Sequence, residues 1–153
     1  MLNTEVIKSI NESVLCWLAT ANDKGEPNVS PKEMFISNGS NNILIANIAS
    51  PTSILNINVN PSVCVSFIDI FKQKGFKVRG IAKVIEKNHN DFYEKEAILH
   101  SLGGEEFTIK NIIEISVSDV SPIIAPSYFF FPDTTESSQK IKAFDSYGVI
   151  PKK

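Results

Sequence analysis

Two short segments carry the side chains best suited to holding an anionic ligand, and the first is Ser50-Pro51-Thr52-Ser53. Ser50 fits a helix N-cap and Pro51 fits the first helical position, where its missing N–H costs nothing. The N–H groups at a helix N-terminus are unpaired and carry positive partial charge, so hydroxyls of Thr52 and Ser53 would complete a phosphate site there. The same residues also fit a plain helix start without a ligand.

The second segment is Asn28-Val29-Ser30-Pro31-Lys32-Glu33, in a predicted strand. A lysine in a strand usually lies on a solvated edge. Pro31 removes a donor from the ladder, which favours an edge strand or a bulge, and bulges often re-aim side chains beside binding sites. Lys32 alone therefore fits either a solvated edge cation or part of a site.

Two further groups could bind a ligand or a partner. Lys77, Arg79 and Lys83 alternate in a predicted strand, so they share one face that meets either an anionic ligand or water. The block from Tyr128 to Phe131 is aromatic. It fits the pocket of a flat ligand, a subunit interface or ordinary core packing.

Histidines, cysteines and carboxylates do not form a recognisable catalytic pattern. His89 and His100 are expected on the surface, and no metal site is predicted. Cys16 and Cys64 lie in apolar strands, where a buried thiol acts as a small inert hydrophobe. No P-loop, Rossmann fingerprint, nucleophile elbow or paired-carboxylate motif is present, so no catalytic residue is assigned.

Length and charge exclude several classes of protein. The 153 residues predict one domain over 1–153, and 42% hydrophobic content fits a globular chain. A net charge of −2 argues against nonspecific nucleic-acid binding. No membrane-length apolar stretch and no signal peptide are recognisable, so a cytoplasmic location is expected.

Hydrophobic periodicity predicts an α+β fold built on an antiparallel sheet with peripheral helices. Tight turns at residues 21–26 and 38–42 join the first three strands, which requires antiparallel pairing and favours a small barrel. Helices are predicted over residues 3–11, 51–60, 86–102 and 135–147. Strands are predicted over residues 14–20, 27–36, 43–47, 63–68, 76–85, 112–117 and, interrupted by prolines, 123–131.

The order of these segments resembles the pyridoxamine 5′-phosphate oxidase-like, FMN-binding split-barrel family. Leu18–Ala21 and Asp23–Pro31 resemble the first hairpin of that family. Gly75–Ala82 resembles its long central strand. The strand, phosphate loop and helix of that family are matched by Ile43–Asn47, Thr52-Ser53, Asn56 and Asn60–Val63. The C-terminal segments of its small members are matched by Ala125–Tyr128 and Ser146–Gly148.

The resemblance implies a six-stranded antiparallel split β-barrel that forms a homodimer, with two FMN molecules at the dimer interface. The residues that it places at the cofactor fall into three groups: Ser30, Pro31 and Lys32 along the flavin ring, Ala46, Asn47 and Ile48 at a strand end beside it, and Thr52 and Ser53 at the phosphate.

The function implied is that of an FMN-dependent oxidoreductase of a small molecule, with hydride or electron transfer at the flavin N5. Many relatives have Arg or Lys at the positions of Thr52 and Ser53, so Lys32 or a basic residue of the second subunit is expected to supply that charge. The tail Tyr147–Lys153 lacks the Arg/His substrate segment of authentic pyridoxamine-phosphate oxidase, so vitamin B6 oxidation is not expected. The alternatives are a non-catalytic module that binds flavin, haem or a deazaflavin, and an interaction domain with an empty barrel.

Overall fold

One antiparallel sheet of seven strands organises residues 1–152, the part of the chain that the structure, a computed structural model, describes. The sheet order is β2-β1-β5-β6-β7-β4-β3, and every neighbouring pair runs antiparallel. This confirms the predicted antiparallel α+β architecture. The strands are β1 (Cys16–Ala21), β2 (Pro27–Lys32), β3 (Phe35–Asn38), β4 (Asn42–Asn47), β5 (Ser62–Asp69), β6 (Lys74–Ile85) and β7 (Asn111–Ile124).

The sheet curls on itself and encloses the main core. The ring of Phe35, on edge strand β3, lies 6.1 Å from the ring of Phe67 on β5, although three strands separate β3 from β5 in the sheet order. A flat sheet would hold these rings far apart, because neighbouring strands are about 4.8 Å apart. The curled sheet is the half-barrel of the expected split-barrel fold. Its buried inward side chains include Leu18, Ile43, Ile45, Val65, Val78 and Ile113.

Within residues 1–152, five helices lie around the sheet. They are α1 (Thr4–Glu12), α2 (Pro51–Val59), α3 (Phe92–His100), α4 (Ser127–Phe130) and α5 (Glu136–Tyr147). Helix α1 closes the main core with Val6 and Ile10, whereas α3 buries Phe92 and Leu99 in a second cluster against β4 and β7. None of the helices within residues 1–152 is long and apolar enough to cross a membrane.

The segment predicted as one strand over 27–36 is two strands, and the sheet of residues 1–152 has seven strands where the resemblance implied six. Strand β2 pairs with β1, whereas β3 pairs with β4 at the opposite edge of the sheet. The chain therefore crosses between the two edges at Glu33 and Met34. Apolar alternation alone does not show such a change of partner, because both halves keep the strand period.

The C-terminal prediction is right for α5 and wrong for residues 125–131. Strand β7 continues to Ile124, and the aromatic block then forms the four-residue helix α4 instead of a strand. Pro126 precedes α4 with helical φ and ψ of −55° and −28°, and a proline is well suited to starting a helix. The predicted helix over 86–102 is also shorter, because α3 begins at Phe92.

Gly80 is expected to tolerate no side chain. A Cβ on Gly80 would lie 2.7 Å from Ile115 Cγ2 and against the Ser116 carbonyl oxygen, beside the irregular register between β6 and β7. We expect Gly80→Ala to lower the free energy of unfolding by about 3 kcal/mol, as overpacking does. Gly103→Ala is the control, since it has positive φ but open space around it. That control should cost about 1 kcal/mol in urea unfolding, and equal effects would contradict the steric argument.

Candidate functional site

Lys32 is a buried cation without an acidic partner. In β2 the side chains alternate, and Asn28, Ser30 and Lys32 point inward while their neighbours are exposed. Lys32 is only 5% exposed at the end of this edge strand. Within residues 1–152, no carboxylate lies within 4.0 Å of its ammonium group. Because buried charges are normally paired, this ammonium is suited to bind an anionic ligand.

Two hydroxyl groups surround the Lys32 ammonium. Its Nζ donates to Ser30 Oγ at 3.0 Å and also to Ser50 Oγ. The two serine oxygens lie 3.1 Å apart. We call this arrangement, together with the first turn of α2, the cradle: Ser30, Lys32, Ser50, Thr52 and Ser53. The predicted anion segments, β2 and the start of α2, therefore meet in one place.

The N-terminus of α2 is left without a side-chain cap. Ser50 occupies the predicted N-cap position, but its hydroxyl makes no bond to the helix, and it faces Lys32 instead. The first turn contains no acidic residue that would offset the positive end of the helix dipole. Thr52 is exposed, whereas Ser53 is fully buried and its Oγ accepts from Asn28 Nδ2 at 3.5 Å. The two predicted phosphate hydroxyls thus lie on different sides of the helix.

Asn47 fixes the turn between β4 and the cradle. Its Oδ1 accepts from the Ser50 N–H at 3.1 Å, and its Nδ2 donates to Asn111 Oδ1 at 2.8 Å. Asn111 Nδ2 reaches Glu86 Oε1 at 3.4 Å, which joins the start of β7 to the chain that follows β6. Of the other site residues predicted, Ala46 is buried in the second cluster, Ile48 is half-buried and Pro31 is exposed.

A layer of polar side chains beneath α2 was not predicted from the sequence. Asn56 Nδ2 donates to Thr20 Oγ1 at 3.0 Å, and Asn28 Nδ2 lies 3.4 Å from the same oxygen. These bonds tie α2 to β1 and β2 and support the cradle from below. A signal was available, because Asn56 follows Ser53 by three residues and so lies on the same face of the helix.

Burial governs the protonation of Lys32 and its neighbour Cys16. Desolvation lowers the pKa of Lys32 from 10.5, and the adjacent Cys16 opposes this shift. Burial raises the pKa of the Cys16 thiol to about 12, against a smaller lowering effect of Lys32. Cys16 therefore stays a neutral thiol at physiological pH and is no counterion for Lys32.

Wild-type protein is expected to gain stability relative to Lys32→Met as pH rises toward 10.5. Between the lowered folded pKa of Lys32 and 10.5, the unfolded chain binds more protons than the folded chain, so wild-type stability increases with pH. Below that window Lys32 is charged in both the folded and the unfolded protein, and burial of the ammonium lowers the free energy of unfolding by its full amount. The Cys16 thiol stays protonated in both folded proteins across this window, because removing Lys32 only raises its pKa further, so its titration cancels in the difference. Urea unfolding at several pH values measures this difference, and a flat difference would contradict an uncompensated Lys32.

The other candidate residues lie outside the cradle. Lys77, Arg79 and Lys83 share one face of β6, as predicted, but Arg79 pairs with Asp119 at 3.6 Å and Lys83 with buried Glu114 at 2.7 Å. Among the described residues, no group of three or more His, Cys, Asp or Glu side chains is arranged to bind a metal.

Solved structures share this fold. HupZ from Group A Streptococcus superposes with a TM-score of 0.67 at 22% identity, covering 82% of this chain and 99% of that chain. An FMN-binding protein from Syntrophomonas wolfei superposes with a TM-score of 0.68 at 14% identity, covering 78% of this chain and 84% of that chain. HutZ, a haem storage protein from Vibrio cholerae, superposes with a TM-score of 0.62 at 22% identity, covering 80% of this chain and 94% of that chain.

Comparison at the level of sequence families agrees with the fold. Among curated proteins, none matches this chain. Residues 2–123, which include all seven strands but the last residue of β7, match the family described as pyridoxamine 5′-phosphate oxidase. That match covers most of the chain and includes the whole cradle. The chain therefore belongs to the pyridoxamine 5′-phosphate oxidase family.

Proposed function

We propose that this chain binds FMN with the phosphate in the cradle and serves as an FMN-dependent oxidoreductase of a small molecule. The observation that carries the proposal is the buried, unpaired Lys32 ammonium beside the uncapped N-terminus of α2. A phosphate is the anion that suits such a place, because it accepts several hydrogen bonds and is attracted by the helix dipole. Family membership and the fold shared with the Syntrophomonas wolfei protein support the same cofactor.

The donors of the cradle fit a phosphate group. Lys32 supplies the charge that Thr52 and Ser53 lack, while Ser50, Ser30 and the first-turn N–H groups of α2 supply neutral donors. Lys32 lies with Ser50 at the helix N-terminus, which supports a role at the phosphate in place of the ring role implied by the resemblance. In this proposal Thr52, on the exposed side of the turn, contacts the phosphate from the solvent side.

The flavin ring would lie along the residues that flank the cradle. Pro31 and Ile48 offer apolar surface at the end of β2 and after β4. Asn47 and Ser30 offer polar groups for the edge of the ring, and Ala46 packs behind Asn47. When bound there, FMN supplies hydride or electron transfer at its N5. The chain's own part is to bind and orient the cofactor, and no side-chain acid or base is assigned.

A homodimer is part of the proposal, with the flavin between the two subunits. Lys77 lies on the outward face of β6 and, among the described residues, makes no ion pair. It is thus available to an anion held by a second subunit. The expected substrate is a small molecule that enters beside the flavin.

The test is flavin binding by the purified protein, measured with FMN, riboflavin and haem. We expect FMN to co-elute with the protein and to bind at least about 30-fold more tightly than riboflavin, which lacks the phosphate. Equal affinities for FMN and riboflavin would overturn the cradle as the phosphate site. Binding of haem without binding of FMN would overturn FMN as the cofactor and indicate haem in its place. Reduction of the bound flavin by a nicotinamide donor then tests the oxidoreductase role.

A further inference from the structure

A row of three polar side chains crosses the sheet where β6 and β4 end and β7 begins. The register pairs Asn47 with Asn111 at the last position of the β4–β7 ladder. It also pairs Ile85 with Ile112, so Glu86, the residue after β6, lies level with Asn111. Asn47 is 3% exposed, Asn111 is half-buried and Glu86 is exposed. The row therefore leads from the buried side of the cradle to the protein surface.

The hydrogen bonds along this row all run in one direction. At one end the Ser50 backbone N–H, which can only donate, donates to Asn47 Oδ1 at 3.1 Å. The amide Nδ2 of Asn47 donates in turn to Asn111 Oδ1 at 2.8 Å, and Asn111 Nδ2 donates to Glu86 Oε1 at 3.4 Å. At this far end an ionised carboxylate can only accept. We call these four residues, Ser50, Asn47, Asn111 and Glu86, the relay.

A donor at one end of the relay and an acceptor at the other fix the orientation of both amides between them. An asparagine amide can turn by half a rotation and exchange its oxygen for its NH₂ group with little change of shape. A reversed Asn111 would set its oxygen against the Glu86 carboxylate and its NH₂ group against Asn47 Nδ2. A reversed Asn47 would set its NH₂ group against the Ser50 N–H. Because a buried donor without an acceptor is costly, the relay favours one arrangement.

We propose that Glu86 and Asn111 are positioning residues for the FMN phosphate, and that they act through Asn47 on Ser50. The inference rests on the proposed function, because it concerns the phosphate held in the cradle. Ser50 joins the two systems, since its N–H belongs to the relay and its Oγ accepts from Lys32 Nζ. The first-turn N–H groups of α2 follow Ser50 directly in the chain. A carboxylate at the surface thereby sets the affinity for phosphate although it is not part of the cradle.

The experiment reverses the relay from its exposed end with the variant Glu86→Lys. A lysine at this position can only donate, so Asn111 is expected to turn its oxygen toward the new ammonium and its NH₂ group toward Asn47. Asn47 then has no oxygen left for the Ser50 N–H. We expect FMN affinity to fall about tenfold and riboflavin affinity to stay within about twofold of wild type. Charge attraction alone predicts the opposite, because replacing an acid by a base favours a bound phosphate.

The double variant Glu86→Lys/Asn111→Asp is expected to restore the cradle. A carboxylate at position 111 accepts from the new lysine and from Asn47 Nδ2 at once, so Asn47 keeps its original orientation. FMN affinity should recover to within about threefold of wild type. Glu86→Gln should stay equally close, because its amide oxygen still accepts from Asn111. Glu106→Lys is the matched control for charge, since Glu106 is exposed in the loop before β7 and outside the relay, and it should leave FMN affinity unchanged.

Hydrogen exchange of the Ser50 backbone N–H, followed by NMR in flavin-free protein, gives a second readout. We expect this N–H to exchange at least about tenfold faster in Glu86→Lys and as slowly as in wild type in the double variant. Because this readout needs no flavin, the relay and the proposed function can fail separately. Equal affinities of the wild-type protein for FMN and riboflavin would overturn the proposed phosphate site, while the exchange rates would still decide whether Glu86 positions Ser50.

The inference is wrong if Glu86→Lys leaves the Ser50 exchange rate unchanged, or if it leaves FMN affinity unchanged or raises it. It is also wrong if the variant loses riboflavin affinity as much as FMN affinity, since the effect would then be on the fold and not on the phosphate site. A double variant that recovers nothing would show that the orientation of the amides does not matter. Should Glu86→Lys fail to fold, Asn111→Leu, which leaves Asn47 Nδ2 without its acceptor, takes its place and should show the same losses.

Discussion

Lys32→Met is expected to bind FMN about 30-fold more weakly than wild type while folding into a more stable flavin-free protein. The loss follows because a charge-assisted hydrogen bond contributes about 1.5–3 kcal/mol, and Lys32 is the only charge in the cradle. The gain follows because methionine fills a similar volume without a buried ammonium. We expect that gain to be about 1–2 kcal/mol in the free energy of unfolding. Isothermal titration with FMN and urea unfolding measure the two quantities.

Two controls separate a phosphate role of Lys32 from a general one. Riboflavin affinity should be the same in wild type and Lys32→Met, since riboflavin has no phosphate to lose a partner. Lys24→Met removes a lysine in the exposed turn between β1 and β2 and should leave FMN affinity unchanged. If Lys32→Met weakened riboflavin as much as FMN, the ammonium would act on the flavin ring instead. If the variant were less stable than wild type, Lys32 would be structurally satisfied by its two serines.

The elements that the sequence predicted well are those whose signals are local. Turn residues at 21–26 and Pro51 at the start of α2 place those boundaries correctly, because φ preferences act within a few residues. Pro31 favoured either an edge strand or a bulge, and β2 lies at the edge of the sheet. The split between β2 and β3 was missed because it depends on the curling of the whole sheet. Only in the curled sheet can the chain leave β2 at one edge and pair with β4 at the other edge from Phe35 onward.

The candidate site shows the same division. The helix N-terminus at Ser50 and the lysine at position 32 were both visible as separate features, and each had an ordinary structural explanation. What the residues alone could not show is that β2 and α2 meet, so that Ser50 turns away from its helix toward Lys32. Burial of Lys32 contradicts the usual behaviour of a lysine in an edge strand. That conflict between a local rule and the fold is what points to an anion-binding site.

Ser50→Asp is expected to stabilise the flavin-free protein by about 2 kcal/mol and to weaken FMN binding at least about 100-fold. Aspartate is as good an N-cap as serine, and its carboxylate would gain both the helix dipole and the unpaired ammonium of Lys32. The same carboxylate would occupy the position of the phosphate and repel it, and like charges held together in a poorly solvated place cost several kcal/mol. Thermal and urea unfolding give the first effect, and FMN titration gives the second.

The comparison that decides this prediction is Ser50→Asn, which has nearly the same shape as Ser50→Asp and no charge. Asparagine also caps helices well, so the two variants differ only in whether Lys32 gains a counterion. Ser50→Asn should therefore keep wild-type stability within about 0.5 kcal/mol and lose much less FMN affinity than Ser50→Asp. An anion site requires that Ser50→Asp raise the free energy of unfolding and lower the affinity for FMN, because the new carboxylate and the phosphate compete for the Lys32 ammonium. If both variants weakened FMN equally, the shape of the turn would matter and the charge of Lys32 would not.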